Sequence, residues 1–395
     1  MPDYDEIGVG VLHSRPREAT KKPTRATVAA APLHAGFVSW MVAGIRTHYE
    51  NVWSIATTDA GIAPARVEVF PWRHGGAIER LPLPQRVRST IRTYLSTAGI
   101  FTAGPLDVVW SQMSVPLLPY LLTRAAISRV PVVLDTDSTP RLLASFGEHY
   151  AEQVAGPSLK RRVVDGLLSQ AANRCAAVVC WSEWAARSFV EDYGVPRERI
   201  RVIAPGVDLA AWAPSTSRSA GSSRPRLLFV GADFVRKGGD LLLDVWRERF
   251  SDQCELHLVT RGDVRPEPGV FVYRNFLPND PDLRRLYQSC DALVLPTRGD
   301  CFSLASLEAM AAGLPVITCA VGGIAEIFEN GTAGYLIPPN DSSALRDAIA
   351  SLLADSTRRA RMGAAARAIV EERFDASKNA RKLLDLLHEV TASSK

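Results

Sequence analysis

Two carboxylates with seven residues between them, Asp300 and Glu308, bracket the start of a short predicted helix (Ser303 to Ala312), and they carry the most chemistry in the chain. The helix follows an apolar run ending at Pro296 and stops at Gly313, before a second apolar run, Pro315 to Cys319. Backbone N–H groups at a helix start favour an anion, whereas flanking carboxylates suit neutral hydroxyls. One site of this composition would hold a diphosphate on its amides while Asp300 and Glu308 grip hydroxyls on either side. That is the shape of a nucleotide-sugar.

A second block lies upstream, in Val-Gly-Ala-Asp-Phe-Val-Arg-Lys-Gly-Gly (230–239). The apolar run Leu227 to Val230 reads as a strand, Gly231 opens the turn after it, and Arg236 and Lys237 stand just before a helix predicted over Asp240 to Phe250. Two cations there would neutralise charge on a departing nucleoside diphosphate.

Together these residues resemble the donor-binding half of the retaining glycosyltransferases of family four, which have the GT-B fold. The markers, in family order, are Gly231, Arg236-Lys237-Gly238, the Asp300 to Glu308 block and Gly322-Gly323-Ile324-Ala325-Glu326; Ile203 to Asp208 resembles the turn that closes the first domain. The resemblance is specific from about Val178 to Asp341 and architectural before that. It implies transfer of a sugar from a nucleotide-sugar to a hydroxyl acceptor (a glycan, a lipid-linked molecule or a small molecule). The acceptor would attack on the face from which the leaving group departs, with no protein nucleophile.

The resemblance assigns Arg236 and Lys237 to the donor diphosphate, with the backbone around Cys301, Phe302, Ser303 and Leu304. Glu308 is assigned to the ribose hydroxyls, Asp300 to a hydroxyl of the donor sugar, and the loop at Tyr273, Asn275 and Phe276 to the base. The chain departs from the family in several places. Asp300 replaces a glutamate, Cys301-Phe302-Ser303 replaces Gly-Phe-Gly, and His34-Ala35-Gly36-Phe37 replaces a Gly-Gly opening loop, so that His34 and Gly36 become the acceptor-side candidates. An aspartate stands where the family carries a histidine facing the reacting sugar. Asp135 or Asp137 would then touch donor sugar or acceptor, or cap the segment that follows. Asp-Thr-Asp is also the metal signature of a different glycosyltransferase fold, but it lies here in the first half, away from the donor markers. No metal and no cofactor is expected. Two other readings fit the same architecture: a nucleotide-sugar 2-epimerase-like isomerase, and a non-catalytic nucleotide-sugar-binding protein.

The elements that must position these residues alternate along the chain. Strands are predicted at Arg25 to Pro32, Val52 to Thr57, Val67 to Phe70, Val108 to Trp110, Val130 to Leu134 and Ala177 to Cys180, with helices at Val38 to Tyr49, Pro84 to Thr97, Pro116 to Arg129, Leu159 to Arg174 and Glu183 to Asp192. The alternation restarts at Leu227, with strands near Leu256, Val270, Ala292, Val316 and Gly334. This pattern predicts two doubly wound, Rossmann-like α/β domains facing across a cleft. The expected division is a disordered leader (1–24), an acceptor-side domain (25–213), a linker (214–226), a donor domain (227–375) and a last helix (376–395) crossing back to the first domain.

Composition excludes other classes. With 395 residues, 47% of them hydrophobic, the chain can bury two cores, and a net charge of +4 gives no case for nucleic acid. No run reaches the roughly twenty apolar residues of a membrane span, and a cytoplasmic location is expected. Arg86, Arg88, Arg92 and Lys160-Arg161-Arg162 beside apolar neighbours admit peripheral contact with anionic lipid at the inner face of the membrane. The six cysteines show no metal spacing, and Cys301 has no adjacent base to make it a nucleophile.

Overall fold

A computed structural model of the chain describes residues 31–41, 43–69, 76–84, 87–88, 91–92, 95, 105–112, 130–150, 158–215, 224–277 and 279–394. The expected leader, the predicted helix at 116–129, Arg86 and much of the linker lie outside them. The first half contains β1 (Leu33–Trp40), α1 (Ala43–Ala56), β2 (Ile62–Val69), β3 (Val108–Gln112), β4 (Val132–Thr136), α2 (Pro140–Ser145), α3 (Ser158–Arg174), β5 (Ala177–Cys180), α4 (Glu183–Glu191) and β6 (Ile200–Val202). The second contains β7 (Arg226–Val230), α5 (Gly239–Arg249), β8 (Glu255–Val259), β9 (Val270–Tyr273), α6 (Pro281–Ser289), β10 (Ala292–Leu295), α7 (Leu304–Ala311), β11 (Val316–Cys319), β12 (Gly334–Ile337), α8 (Ser342–Ala354), α9 (Ser356–Arg373) and α10 (Ala376–Ala392).

The strands form two six-stranded sheets, in the orders β2-β1-β3-β4-β5-β6 and β12-β11-β10-β7-β8-β9. Every strand pair is parallel. Parallel sheets covered on both faces carry continuous apolar strands; all four residues of β10, Ala292 to Leu295, are 0% exposed. Each order reverses direction once, between β1 and β3 in the first sheet and between β7 and β10 in the second. In such sheets ligands settle beyond the carboxyl ends of the strands at that reversal.

The first strand overturns one expectation. Leu33–Trp40 is itself β1, paired with β2 through Leu33↔Ile62 to Trp40↔Val69, and the helix begins at Ala43, not Val38. The run Val52 to Thr57, read as a strand, is the end of α1. His-Ala-Gly resembles a turn, but Gly36 lies mid-strand between Ala65 and Val109. Leu33, Ala35 and Phe37 alternate onto one buried face, the periodicity of a strand.

The two halves are joined by packing. Helix α10 buries Leu383, Leu384, Leu386 and Leu387 in the core of the first sheet, against Phe37, Tyr49 and Trp110. At roughly 1.5–3 kcal/mol per fully buried side chain, this seam is a substantial link. Trp181, which follows β5, is in turn part of the second domain's core.

Candidate functional site

The loop after β7 carries Gly231, Arg236 and Lys237, and the loop after β10 carries Asp300 to Ser303. They face each other at the second sheet's reversal point. Their approach depends on Gly238, whose φ of 75° is left-handed and where an added Cβ would lie 2.0 Å from the Pro296 carbonyl oxygen. Gly231 admits the Lys237 side chain, since a Cβ there would stand 2.9 Å from the Lys237 Cβ. Arg298 pins the same crossing, donating to the Asp240 carboxylate at 2.6 and 3.0 Å and to Asn340 Oδ1 at 2.6 Å.

Lys237 Nζ forms an ion pair with Asp300 Oδ2, and both side chains are largely buried. Arg236 is held on three sides. It donates to Asp233 Oδ2 at 3.2 Å, to the Gly299 carbonyl at 2.8 Å and to the Tyr150 hydroxyl at 3.0 Å, and its guanidinium lies 5.0 Å from the centre of the Tyr150 ring. Tyr150 comes from the first domain, so the cation is shared across the cleft. Ser303 caps α7 by accepting the Ser306 amide at 3.2 Å. The amides ahead of that bond, in the first turn, have no acceptor within the helix.

Cys301 is buried, and burial, then the Asp137 and Asp300 charges, push its thiol well up while Ser138 and Tyr150 hydrogen-bond to it. A thiol so held is protonated and is no nucleophile. Phe302 turns inward, edge-on to Trp181 with ring centres 6.2 Å apart, and Leu304 packs near Gly44 of α1. These two residues therefore offer a ligand their backbone rather than their side chains. Glu308, on α7, accepts a hydrogen bond from the Tyr287 hydroxyl at 3.0 Å. Burial raises its carboxyl to about 7, with Tyr287 and the Arg284 charge pulling the other way. Phe276 follows β9 and stacks on Tyr273, ring centres 5.6 Å apart, at the same carboxyl edge but two strands from the reversal point.

In the first domain the two aspartates part company. Asp135 is 1% exposed. Its Oδ1 accepts Trp181 Nε1 at 2.7 Å, and its Oδ2 accepts Trp110 Nε1 at 3.0 Å and lies 3.1 Å from His48 Nε2. With both oxygens taken inside the core, Asp135 touches neither sugar nor acceptor, and the expectation that it does is corrected. Asp137 lies just beyond β4, where burial, then the charges of Asp300 and Asp135, raise its carboxyl to about 6 against a 2.8 Å hydrogen bond from Ser138. It is the carboxylate that the first domain presents to the Asp300 loop. Neither aspartate caps the next helix: Thr139 does so, accepting the Leu142 amide at 3.3 Å.

His34 and Gly36 are also corrected. His34 opens β1 at the amino end of the sheet, beside Asp107, and Gly36 is mid-strand, so both stand away from the carboxyl edge. Of the basic residues, Arg92 is buried against Glu79 and Arg88 donates to the Glu79 carbonyl at 2.7 Å, so both are engaged within the protein. Sequence reasoning missed His48, Trp110, Tyr150 and Trp181, which are scattered singly along the chain and carry no spacing signal.

Glu326 closes the seam. Its carboxylate accepts the amides of Glu183 at 2.8 Å and Trp184 at 2.7 Å, at the start of first-domain helix α4. Gly323 allows the approach, because a Cβ there would lie 2.7 Å from Ser182 Oγ; Gly322, with φ 56°, would collide with the Asp300 carbonyl.

Comparison with known proteins places this geometry. Residues 48–211 match the model of the Glycosyltransferase Family 4 domain, and residues 224–355 match that of the Glycosyl transferases group 1 domain. The chain belongs to the family-four glycosyltransferases. Among its relatives, a D-inositol 3-phosphate glycosyltransferase of Xylanimonas cellulosilytica is 32% identical over 54% of this chain and 57% of its own length. Another of the same name, from Kribbella flavida, is 27% identical over 80% of each. The matches with three such relatives span only 57%, 45% and 60% of those proteins. Sucrose-phosphate synthase from Thermosynechococcus elongatus has the same fold, with a TM-score of 0.71 at 18% identity over 91% of this chain and 100% of that one. So has Anabaena HepE solved with UDP-glucose, with a TM-score of 0.68 at 18% identity over 90% and 100%. The fold is GT-B, as the family resemblance implies.

Proposed function

We propose that the protein moves a sugar from a nucleotide-sugar to a hydroxyl acceptor with retention of anomeric configuration. The observation that carries this reading is the Lys237–Asp300 ion pair, flanked by Arg236, at the reversal point of the second sheet. In use, Lys237 and Arg236 offset charge developing on the leaving diphosphate, and the α7 amides add donors to the same oxygens. Asp300 accepts a hydrogen bond from a donor-sugar hydroxyl and fixes the sugar for attack. Glu308 takes the ribose hydroxyls. The acceptor enters from the first-domain side, past Asp137, and the leaving phosphate removes its proton on the same face. No metal is needed in this scheme, because the diphosphate meets two cations and a helix start.

A UDP-sugar is the first donor to try, since a GT-B neighbour is solved with UDP-glucose. A phosphorylated polyol is the first acceptor to try, since the relatives are named for inositol 3-phosphate. Lipid-linked acceptors extend the reading to the cytoplasmic face of a membrane; among the described residues no helix is long and apolar enough to cross one. The deciding experiment incubates the protein with UDP-, GDP-, ADP- and dTDP-sugars, with and without D-inositol 3-phosphate and other polyols. Nucleoside diphosphate release only when acceptor is present, with the anomeric configuration kept, supports the reading. Interconversion of the nucleotide-sugar without acceptor marks an epimerase, and binding without turnover under any condition marks a non-catalytic protein.

A further inference from the structure

Asp135 is excluded from substrate contact, yet it collects three polar groups from three separate elements inside the first domain. Two are indole N–H groups, from Trp110 on β3 and Trp181 after β5; the third is the His48 ring on α1. All four residues are at most 5% exposed. A buried carboxylate is costly unless every lone pair it presents is matched by a donor. Here the donors are rigid aromatic side chains, so the carboxylate fixes ring positions.

The two tryptophans differ in what they touch next. Trp110 packs inward, 5.5 Å from Phe37 and 5.9 Å from Tyr49 between ring centres, within the first domain's core. Trp181 packs outward, edge-on to Phe302 at 6.2 Å and 84°. Phe302 sits between Asp300 and the Ser303 cap of α7, and it leans in turn on Phe374, 6.2 Å away. The path from Asp135 Oδ1 to the donor loop thus takes one hydrogen bond and one ring contact.

We infer that Asp135 is a positioning residue for the donor site: it holds the Trp181 ring, which fixes Phe302 and with it the loop bearing Asp300 and the first amides of α7. This rests on the reading of that loop as the diphosphate site. It accounts for an aspartate at a strand end where direct substrate contact is ruled out, and it makes the first domain a structural partner in donor binding.

Two matched substitutions test it. Trp181→Phe and Trp110→Phe each withdraw one indole N–H from the same buried carboxylate and keep a ring in place, so both should lower the melting temperature. Only Trp181→Phe loosens the donor loop. Calorimetric titration with UDP, or with whichever of GDP, ADP or dTDP binds the unmutated protein best, should give a dissociation constant raised about tenfold or more for Trp181→Phe. Trp110→Phe should stay within about twofold of the unmutated protein. Combining Trp181→Phe with Phe302→Leu should cost little beyond the larger single loss, because both act through one contact. Equal weakening by both tryptophan variants, no weakening by Trp181→Phe, or losses that multiply in the double variant would each overturn the inference. If a variant fails to fold, the unmutated protein still decides: nucleotide should shift the Trp181 indole N–H resonance and leave that of Trp110 unmoved, and the opposite pattern overturns the inference. Failure of every nucleoside diphosphate to bind the unmutated protein would instead sink the donor-site reading, and this inference with it.

Discussion

Lys237 and Asp300, 63 residues apart, meet as an ion pair at the carboxyl edge of the second sheet. The pairing gives a largely buried lysine the counter-charge without which it would be desolvated alone. It also means that the two roles assigned to this edge, charge neutralisation and sugar recognition, are played by side chains already in contact. Donor binding must then redistribute one hydrogen-bonded pair rather than assemble the site from separate parts.

Lys237→Ala removes one cation from the leaving group and leaves Asp300 without its partner. If the loss resembles that of an oxyanion-hole donor, the rate falls by about 2.7 to 4 kcal/mol, roughly a hundred- to thousandfold. Steady-state turnover with saturating donor and acceptor measures it, and wild-type turnover in this variant would remove Lys237 from the site.

Asp300→Ala should separate transfer from binding. The free nucleoside diphosphate carries no sugar for Asp300 to hold, and Lys237 is released to meet the phosphates, so diphosphate affinity should be kept or improved while transfer collapses. Asp300→Asn, with a neutral amide in the same volume, should fall between. Helix capping does not offer a competing account, because Ser303 rather than Asp300 is the N-cap of α7, accepting the Ser306 amide. An Asp300→Ala protein with normal transfer and weakened diphosphate binding would reverse the assignment.

The second half of the chain was legible because its strands are short apolar runs, and two of them are buried and closed at once by a breaker, Leu227 to Phe229 of β7 ahead of Gly231 and Ala292 to Leu295 of β10 ahead of Pro296. Leu227, Leu256, Val270, Ala292, Val316 and Gly334 all fall in strands near the expected places. The first half was less so. Leu33 to Trp40 contains His, Ala, Gly and Ser in a strand whose neighbours, not its propensity, hold it extended. At the site, Arg236, Lys237 and Asp300 were readable as local motifs, and the structure brings them together. The partners of Asp135 were not readable, since positions 48, 110 and 181 converge only through the order of the first sheet. Two aspartates with one residue between them looked interchangeable, but Asp135 is inside β4 with its carboxylate in the core, and Asp137 lies past the end of that strand.

Glu326 should act as a tie between domains rather than as a donor ligand. Its carboxylate serves as a cap for α4 from outside that helix, and Glu326→Ala leaves the Glu183 and Trp184 amides without that acceptor. The expected cost is about 1 kcal/mol, in the range of a lost helix cap. Thermal unfolding should register it, with diphosphate affinity nearly unchanged. A large loss of affinity at unchanged stability would make Glu326 a donor contact instead.

Activity should survive excess EDTA, because the diphosphate charge is offset by Arg236, Lys237 and backbone amides. Activity that vanishes with chelator and returns with Mn²⁺ or Mg²⁺ would require a metal between phosphates and protein and would displace Lys237 as the principal counter-charge.

Glu308 gives the pH dependence of donor binding its direction. Its carboxyl is raised by burial from 4.5 to about 7, so the folded protein holds this proton more tightly than the unfolded chain does. Its contribution to stability is therefore greatest below about 4.5 and is lost as the pH rises through about 7. Ribose binding runs the other way, since the ionised carboxylate is the better acceptor for two hydroxyls. Nucleoside diphosphate affinity should fall as pH drops below about 7, and Glu308→Gln should flatten that dependence. Tyr287 sharpens the test. Its hydroxyl stabilises the ionised form, so Tyr287→Phe should raise the Glu308 carboxyl further and move the midpoint of the affinity loss to higher pH. Titrations of affinity against pH on the unmutated protein and both variants would check all three expectations. A midpoint that moves down in Tyr287→Phe, or a profile that Glu308→Gln leaves intact, would take Glu308 out of ribose recognition.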